Sequence, residues 1–310
     1  MEYKNMKKIT IIIVGIVLSF GLYAEKIKVL TTFSPIYCFT KNVAGDLAEV
    51  QNLLPENVGP HDYMMRPQDA KKIAVADVII FNGLGLEEFL NEAFKINSKA
   101  LRIDSSVGIK TLKGAETFEV EEEHHHHEGD NHEHHHHHHH GSENPHIWLD
   151  PVLAIEQVNA IAKGLAKADP ENASQYKENA QRYGERLKKI HKKYSETLNP
   201  LKNKKMIAFH DAFPYLAHRY GIKEVGVFEE FPGKQPSPKY LARLINLIKS
   251  ENISVLFSEP QYSPQLLKQV AKDTGVKTAE LDTMEVGAHT TTFYENVALK
   301  NLEVLKEAFD

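Results

Sequence analysis

Runs of apolar and β-branched residues recur along the chain at helix-length intervals. KIKVLTTF (26–33), DLAEVQNLL (46–54), DVIIFNG (77–83) and ALRID (100–104) form one set, and KKMIAFHD (204–211), EVGVFEE (224–230), ISVLFSEP (253–260) and VKTAELD (276–282) form a second. Continuous apolar runs separated by helical segments predict buried parallel strands in βαβ units. The halves also echo each other, since RPQDAKKIAVADVIIFNG and QPSPKYLARLINLIKSENISVLFSEP both place a proline-led helix before a strand. The expectation is an α/β protein of two similar lobes, each with a mostly parallel sheet flanked by helices.

Between the two sets, residues 169–200 read as one long bridging helix. Tyr176, Ala180, Tyr183, Leu187, Ile190 and Tyr194 step by four and three, the spacing of one helical face. Asp169 and Pro170 supply a start and Pro200 a stop. A helix of about 28 residues spans roughly 40 Å, enough to link two lobes rigidly. The expected organisation is a first lobe over 25–168, the bridge over 169–200 and a second lobe over 201–310.

Two segments depart from this pattern. Residues 1–24 combine a basic start, MEYKNMKK, with the 16-residue apolar run ITIIIVGIVLSFGLYA. That run is short of the ~20 apolar residues a membrane span needs, and it reads as a cleavable secretory signal ending at Ala24. No cysteine follows it to carry a lipid, so the expected location is the periplasm. The single cysteine, Cys38, has no partner in the chain for an internal disulfide. Residues 113–145 have almost no apolar side chains after Val120 and read as a mobile insertion in the first lobe.

The composition, 42% hydrophobic and 25% charged, is that of an ordinary globular protein, and a net charge of −5 gives no basic footprint for nucleic acid. Histidine is the unusual component. Twelve of 18 lie in the insertion: His124, His125, His126, His127, His132, His134, His135, His136, His137, His138, His139 and His140. Neutral near pH 7, these imidazoles are expected to act as an auxiliary arm that collects several ions weakly.

Three other histidines stand where α/β sheets place ligands. His61 lies in a loop between a strand and a helix, His146 just before the helix starting near Pro151, and His210 at the end of the strand MIAFH. Singly, each suits a structural role; together they suggest convergence. Asp282, at the end of the last apolar run, offers a carboxylate, and three imidazoles with one carboxylate suit a tetrahedral Zn²⁺ site. Glu259 is placed to orient a ligand histidine. Asp211 suits a helix cap, His191 an exposed position on the bridging helix, and His218 a packed one; His289 is undecided.

With these residues in place, the chain resembles the metal-binding solute-binding proteins of bacterial ABC importers, most closely the zinc-type members. The resemblance covers about 26–310 and rests on TTFSPIYCFTKNVAGD, GPHDYMMRPQDAKKIAVADVIIFNGLGLEEFL, NPHIWLDP and FHDAFPYLAHRYG, with SEPQ and LD following. It implies two α/β lobes, a long rigid bridging helix and a metal in the cleft between them. It places the histidine ligands on His61, His146 and His210, where manganese-type members carry glutamate at the third, and the acidic ligand on Asp282. Where the family usually shows an acidic residue and proline after His-Asp-Tyr, this chain has Met64 and Met65. The implied function is a monomeric periplasmic carrier that captures Zn²⁺ as transported cargo and delivers it to an inner-membrane permease. A manganese carrier, a surface metal buffer or adhesin, and a zinc hydrolase are the competing readings. The hydrolase is disfavoured because four protein ligands close the site, no HExxH helix is present, and only Glu259 offers a base.

Overall fold

The computed structural model describes residues 25–61, 63–113, 143–229 and 236–310. The signal-like segment 1–24 and the histidine tract 124–140 lie outside these residues. In the first lobe β1 (Lys28–Thr31), α1 (Ser34–Ala44), β2 (Glu49–Asn52), α2 (Pro67–Ala74), β3 (Val78–Phe81), α3 (Leu90–Ile96), β4 (Leu101–Asp104) and α4 (Pro151–Ala168) follow in order. A short 3-10 turn over Pro170–Asn172 leads into the long helix α5 (Ala173–Leu198). The second lobe contains β5 (Lys205–Ala208), α6 (Pro214–Tyr220), β6 (Lys223–Val227), α7 (Pro238–Ser250), β7 (Val255–Ser258), α8 (Gln265–Thr274), β8 (Lys277–Glu280) and α9 (Phe293–Phe309).

Each lobe has a four-stranded parallel sheet, with order β2-β1-β3-β4 in the first and β6-β5-β7-β8 in the second. The repeated order explains the echo between the halves, because α2–β3 and α7–β7 occupy matching places. Strand β3 (VIIF) buries three of its four residues and β7 (VLFS) all four, as expected for strands covered on both faces. Proline opens α1, α2, α4, α6 and α7, where its missing N–H leaves no intrahelical bond unmade. Two side chains complete caps: Asp150 accepts from Val152 N and Ser237 from Tyr240 N.

Helix α5 has 26 residues and buries Tyr176, Ala180, Tyr183, Leu187, Ile190 and Tyr194, the face the spacing predicts. It is fastened at both ends of the molecule. Asn179 Nδ2 donates to Val43 O of α1, while Tyr194 Oη donates to Ala298 O and Tyr183 Oη to Glu295 Oε2 of α9. A single apolar core runs without a break from Val29, Ile36 and Trp148, through Tyr183 and Leu187, to Met206, Phe257 and Leu305. The two lobes thus share one buried core through α5. Among the described residues no helix is long and apolar enough to cross a membrane.

Candidate metal centre

The carboxyl ends of both sheets face the cleft, and four connections leaving strands carry one residue each into it. His61 lies between β2 and α2, His146 between β4 and α4, His210 two residues after β5, and Glu285 between β8 and α9. Because β4 and β8 are matching strands, His146 and Glu285 occupy equivalent connections in the two lobes. One ligand-type atom from each of the four lies within 4.8 Å of every other. His146 Nε2 stands 3.1 Å from His61 Nε2 and 3.2 Å from His210 Nε2. Glu285 Oε1 lies 3.4 Å from His146 Nε2 and 3.5 Å from the Nε2 atoms of His61 and His210. A tetrahedron with bonds of 2.0–2.1 Å has edges of about 3.3 Å, so these separations match a shell around one ion.

The protonation chemistry is set from outside the centre. His210 Nδ1 lies 2.8 and 2.9 Å from the two oxygens of Glu259, which only accept, so the ring donates from Nδ1 and turns Nε2 inward. His146 Nδ1 donates to Asn144 Oδ1 at 2.9 Å, leaving its Nε2 bare. Both Glu285 oxygens are buried without a hydrogen-bond donor of good geometry. Inward lone pairs beside an ionised carboxylate repel one another unless a cation or proton sits among them.

The two rings differ in proton affinity. Burial pushes His146 down to about 3, so it stays neutral and available to a metal. Burial also opposes charge on His210, but the Glu259 carboxylate outweighs it and holds the ring well above the usual imidazole value. Burial would raise Glu285; the charge of His61 and the contacts of all three histidines outweigh that and keep it well below the ordinary carboxylate range.

Asp282 is not in the group. Its Oδ1 accepts from Met284 N at 2.7 Å, and Asn301 of α9 bonds both its backbone N–H and its carbonyl. Met284 then takes a left-handed turn (φ 61°) that carries the chain on to Glu285. From the sequence, TAELDTMEVG offers three acids, Glu280, Asp282 and Glu285, and nothing in the pattern favours the last. The loop that follows is held by the first lobe. Ser34 Oγ donates to Gly287 O, Gly287 N to Glu56 O and His289 N to Glu56 Oε1, while His289 Nε2 accepts from Asn52 Nδ2. Gly287 has φ +141°, and a Cβ there would run into the Phe293 ring. Trp148, fully buried, spans the same junction: its ring centroid lies 5.1 Å from that of His146, and its Nε1 donates to Thr283 O.

Three other expectations fail for local reasons. Asp211 caps no helix, because α6 starts three residues later, and its carboxylate and carbonyl instead accept from Asn144. His218 is exposed in the last turn of α6 rather than packed. His191 is half-buried, with Nδ1 3.0 Å from Tyr220 Oη, because α6 lies against that side of α5.

The family model described as ZnuA, zinc-uptake complex component A, periplasmic, matches residues 29–308. The "High-affinity zinc uptake system protein ZnuA" of Bacillus subtilis (strain 168) is 34% identical over 290 residues, covering 92% of this chain and 88% of that protein. Among solved structures, the solute-binding protein FpvC of Pseudomonas aeruginosa in complex with Mn²⁺ superposes with a TM-score of 0.78 at 28% identity, covering 92% of this chain and 98% of that one. Zn(II)-bound AdcA of Streptococcus pneumoniae superposes at 0.75 with 30% identity over 92% of this chain, which spans only 58% of that longer protein.

Proposed function

The chain belongs to the ZnuA family of extracytoplasmic metal-binding proteins that serve zinc-uptake ABC transporters, and from that premise we propose that Zn²⁺ is its cargo and that His61, His146, His210 and Glu285 hold it. The family is one of solute-binding proteins rather than catalysts. The observation that carries the metal assignment is the donor set itself. Three imidazole nitrogens and one carboxylate oxygen in a closed, buried shell suit zinc, whereas a manganese site favours more oxygen ligands. The continuous core along α5 limits the lobes to small displacements, so loading and release would work through the ligand-bearing connections. The proposed setting is the periplasm, reached through cleavage after Ala24, with a permease of the inner membrane as partner and the carrier acting as a monomer.

Manganese is the second reading, favoured by the Mn²⁺ in FpvC, a neighbour of the same fold. Competition calorimetry with Zn²⁺ and Mn²⁺, on protein purified without added metal and lacking residues 121–140, separates the two. One tight zinc per chain, displaced only by a large excess of manganese, is the expected result; tighter manganese binding would refute the zinc assignment. In the full chain the histidine tract is proposed to add further, weaker zinc ions. Loss of the tight ion on deleting it would overturn that division of labour.

A further inference from the structure

Asn144 is 4% exposed, two residues from His146, and all of its polar atoms are engaged. Its Oδ1 accepts from His146 N at 3.0 Å and from His146 Nδ1 at 2.9 Å. Its Nδ2 donates to Asp211 O at 2.7 Å and Asp211 Oδ2 at 3.1 Å, in the residue that follows His210. Its own N–H donates to Leu112 O at 2.8 Å, and its carbonyl accepts from Tyr215 Oη of α6 at 2.7 Å. A backbone N–H only donates and a backbone carbonyl only accepts, so the amide has one permitted orientation. Oxygen faces the first lobe's histidine and nitrogen faces the second lobe's chain.

We propose that Asn144 is a positioning residue for the cargo site, fixing His146 as the Nδ1–H tautomer and tying its segment across the cleft to the segment that carries His210. The inference rests on the zinc reading above for its effect on affinity, but not for its effect on the tautomer. A metal-binding imidazole is oriented by the acceptor on its other nitrogen. Here that acceptor belongs to a side chain whose donor end grips the opposite lobe. One amide therefore sets both which nitrogen of His146 is bare and where that nitrogen stands relative to His210 Nε2, 3.2 Å away. The residue also closes the base of the insertion, where Lys113 and Glu143 pair as an antiparallel bridge and Tyr215 Oη accepts from Leu112 N. The tie is thus backed by α6 and is not a loose loop contact.

The test uses the full chain with Asn144→Ala and Asn144→Asp. Nitrogen NMR of the metal-free protein reads the His146 tautomer, and chelator competition with zinc alone reads affinity. Asn144→Ala is expected to admit the Nε2–H form and to weaken zinc binding about 10–100-fold. Asn144→Asp restores an acceptor but cannot donate to Asp211 O, so it is expected to return His146 to Nδ1–H while recovering affinity only in part. An alanine variant that keeps Nδ1–H alone, or binds zinc as tightly as the native chain, overturns the proposal, and full recovery in Asn144→Asp overturns the cross-cleft tie. If the alanine variant does not fold, Asn144→Asp alone decides. A native chain that keeps the Nδ1–H form yet binds no zinc would count against the zinc reading and leave the tautomer role standing.

Discussion

The two sheets repeat the same strand order, yet their matching strand ends carry different chemistry. Two residues past β5 stands His210, and two past β1 stands Phe33, whose ring packs edge-on against Trp148 at 4.9 Å. One residue past β7 stands Glu259, which binds His210; one past β3 stands Asn82, whose Nδ2 donates to Pro145 O beside His146. The second lobe therefore builds a charged histidine–carboxylate pair directly on its strands. The first lobe uses the same places as neutral scaffolding and presents His61 and His146 from irregular connections. The duplicated fold has kept its architecture while assigning proton handling to one half.

Replacing a ligand on either side tests this contrast most severely. His146→Ala and His210→Ala are each expected to abolish tight zinc binding, by ~10³-fold or more. They should differ in the metal-free protein. His210→Ala leaves the buried Glu259 carboxylate with the residue-210 N–H and Gln261 but no cationic partner, costing about 3–5 kcal/mol, whereas His146→Ala removes only one of the two donors to Asn144 Oδ1, at about 0.5–1.5 kcal/mol. Denaturant melts of both variants check the asymmetry; equal losses would contradict it.

The first lobe's buried acid, Glu87, comes next. Burial raises its pKa to about 7, against the N–H groups of Asn82 and Gly83 and the Thr32 hydroxyl, which it accepts. Because the folded value lies above the unfolded one, its contribution is fully present below about pH 4.5 and is lost as pH rises through 7. Glu87→Gln should therefore remove on the order of 3 kcal/mol of stability loss between pH 5 and 8, read from urea melts, with zinc affinity unchanged.

Glu259→Gln sharpens the second lobe's side of the comparison. Zinc must displace the proton that Glu259 draws onto His210, so native affinity is expected to rise with pH above 6.5, up to the raised value. The variant should bind zinc about 10–100-fold more weakly and show a flatter pH profile, measured by competition titration between pH 6 and 9. The smallest effect is expected at Gly59, whose added Cβ would stand 3.2 Å from Glu285 Oε2. Gly59→Ala should change zinc binding by no more than ~1 kcal/mol, since the contact asks the Glu285 side chain to shift by only a few tenths of an ångström.

How much of this is written in the amino-acid order depends on how local each cause is. The buried strands, the apolar face of α5 and the placing of His61, His146 and His210 beyond strand ends follow from short-range pattern. Glu285 does not, because its selection over Asp282 depends on Asn301 in a distant helix and on a left-handed residue at Met284. The exposure of His218 and the engagement of Asp211 likewise depend on how α6 lies against the first lobe. Such facts become visible only once two separated segments meet.

Trp148 is the chain's only tryptophan, fully buried, with its ring beside His146 and its N–H bonded to the strand-end loop of the other lobe. An indole in that position makes the protein its own optical gauge. Its emission comes from one environment, and filling the cleft brings a cation to the neighbouring imidazole. Occupancy can therefore be followed in the unlabelled chain, with every substitution above read against a single native tryptophan.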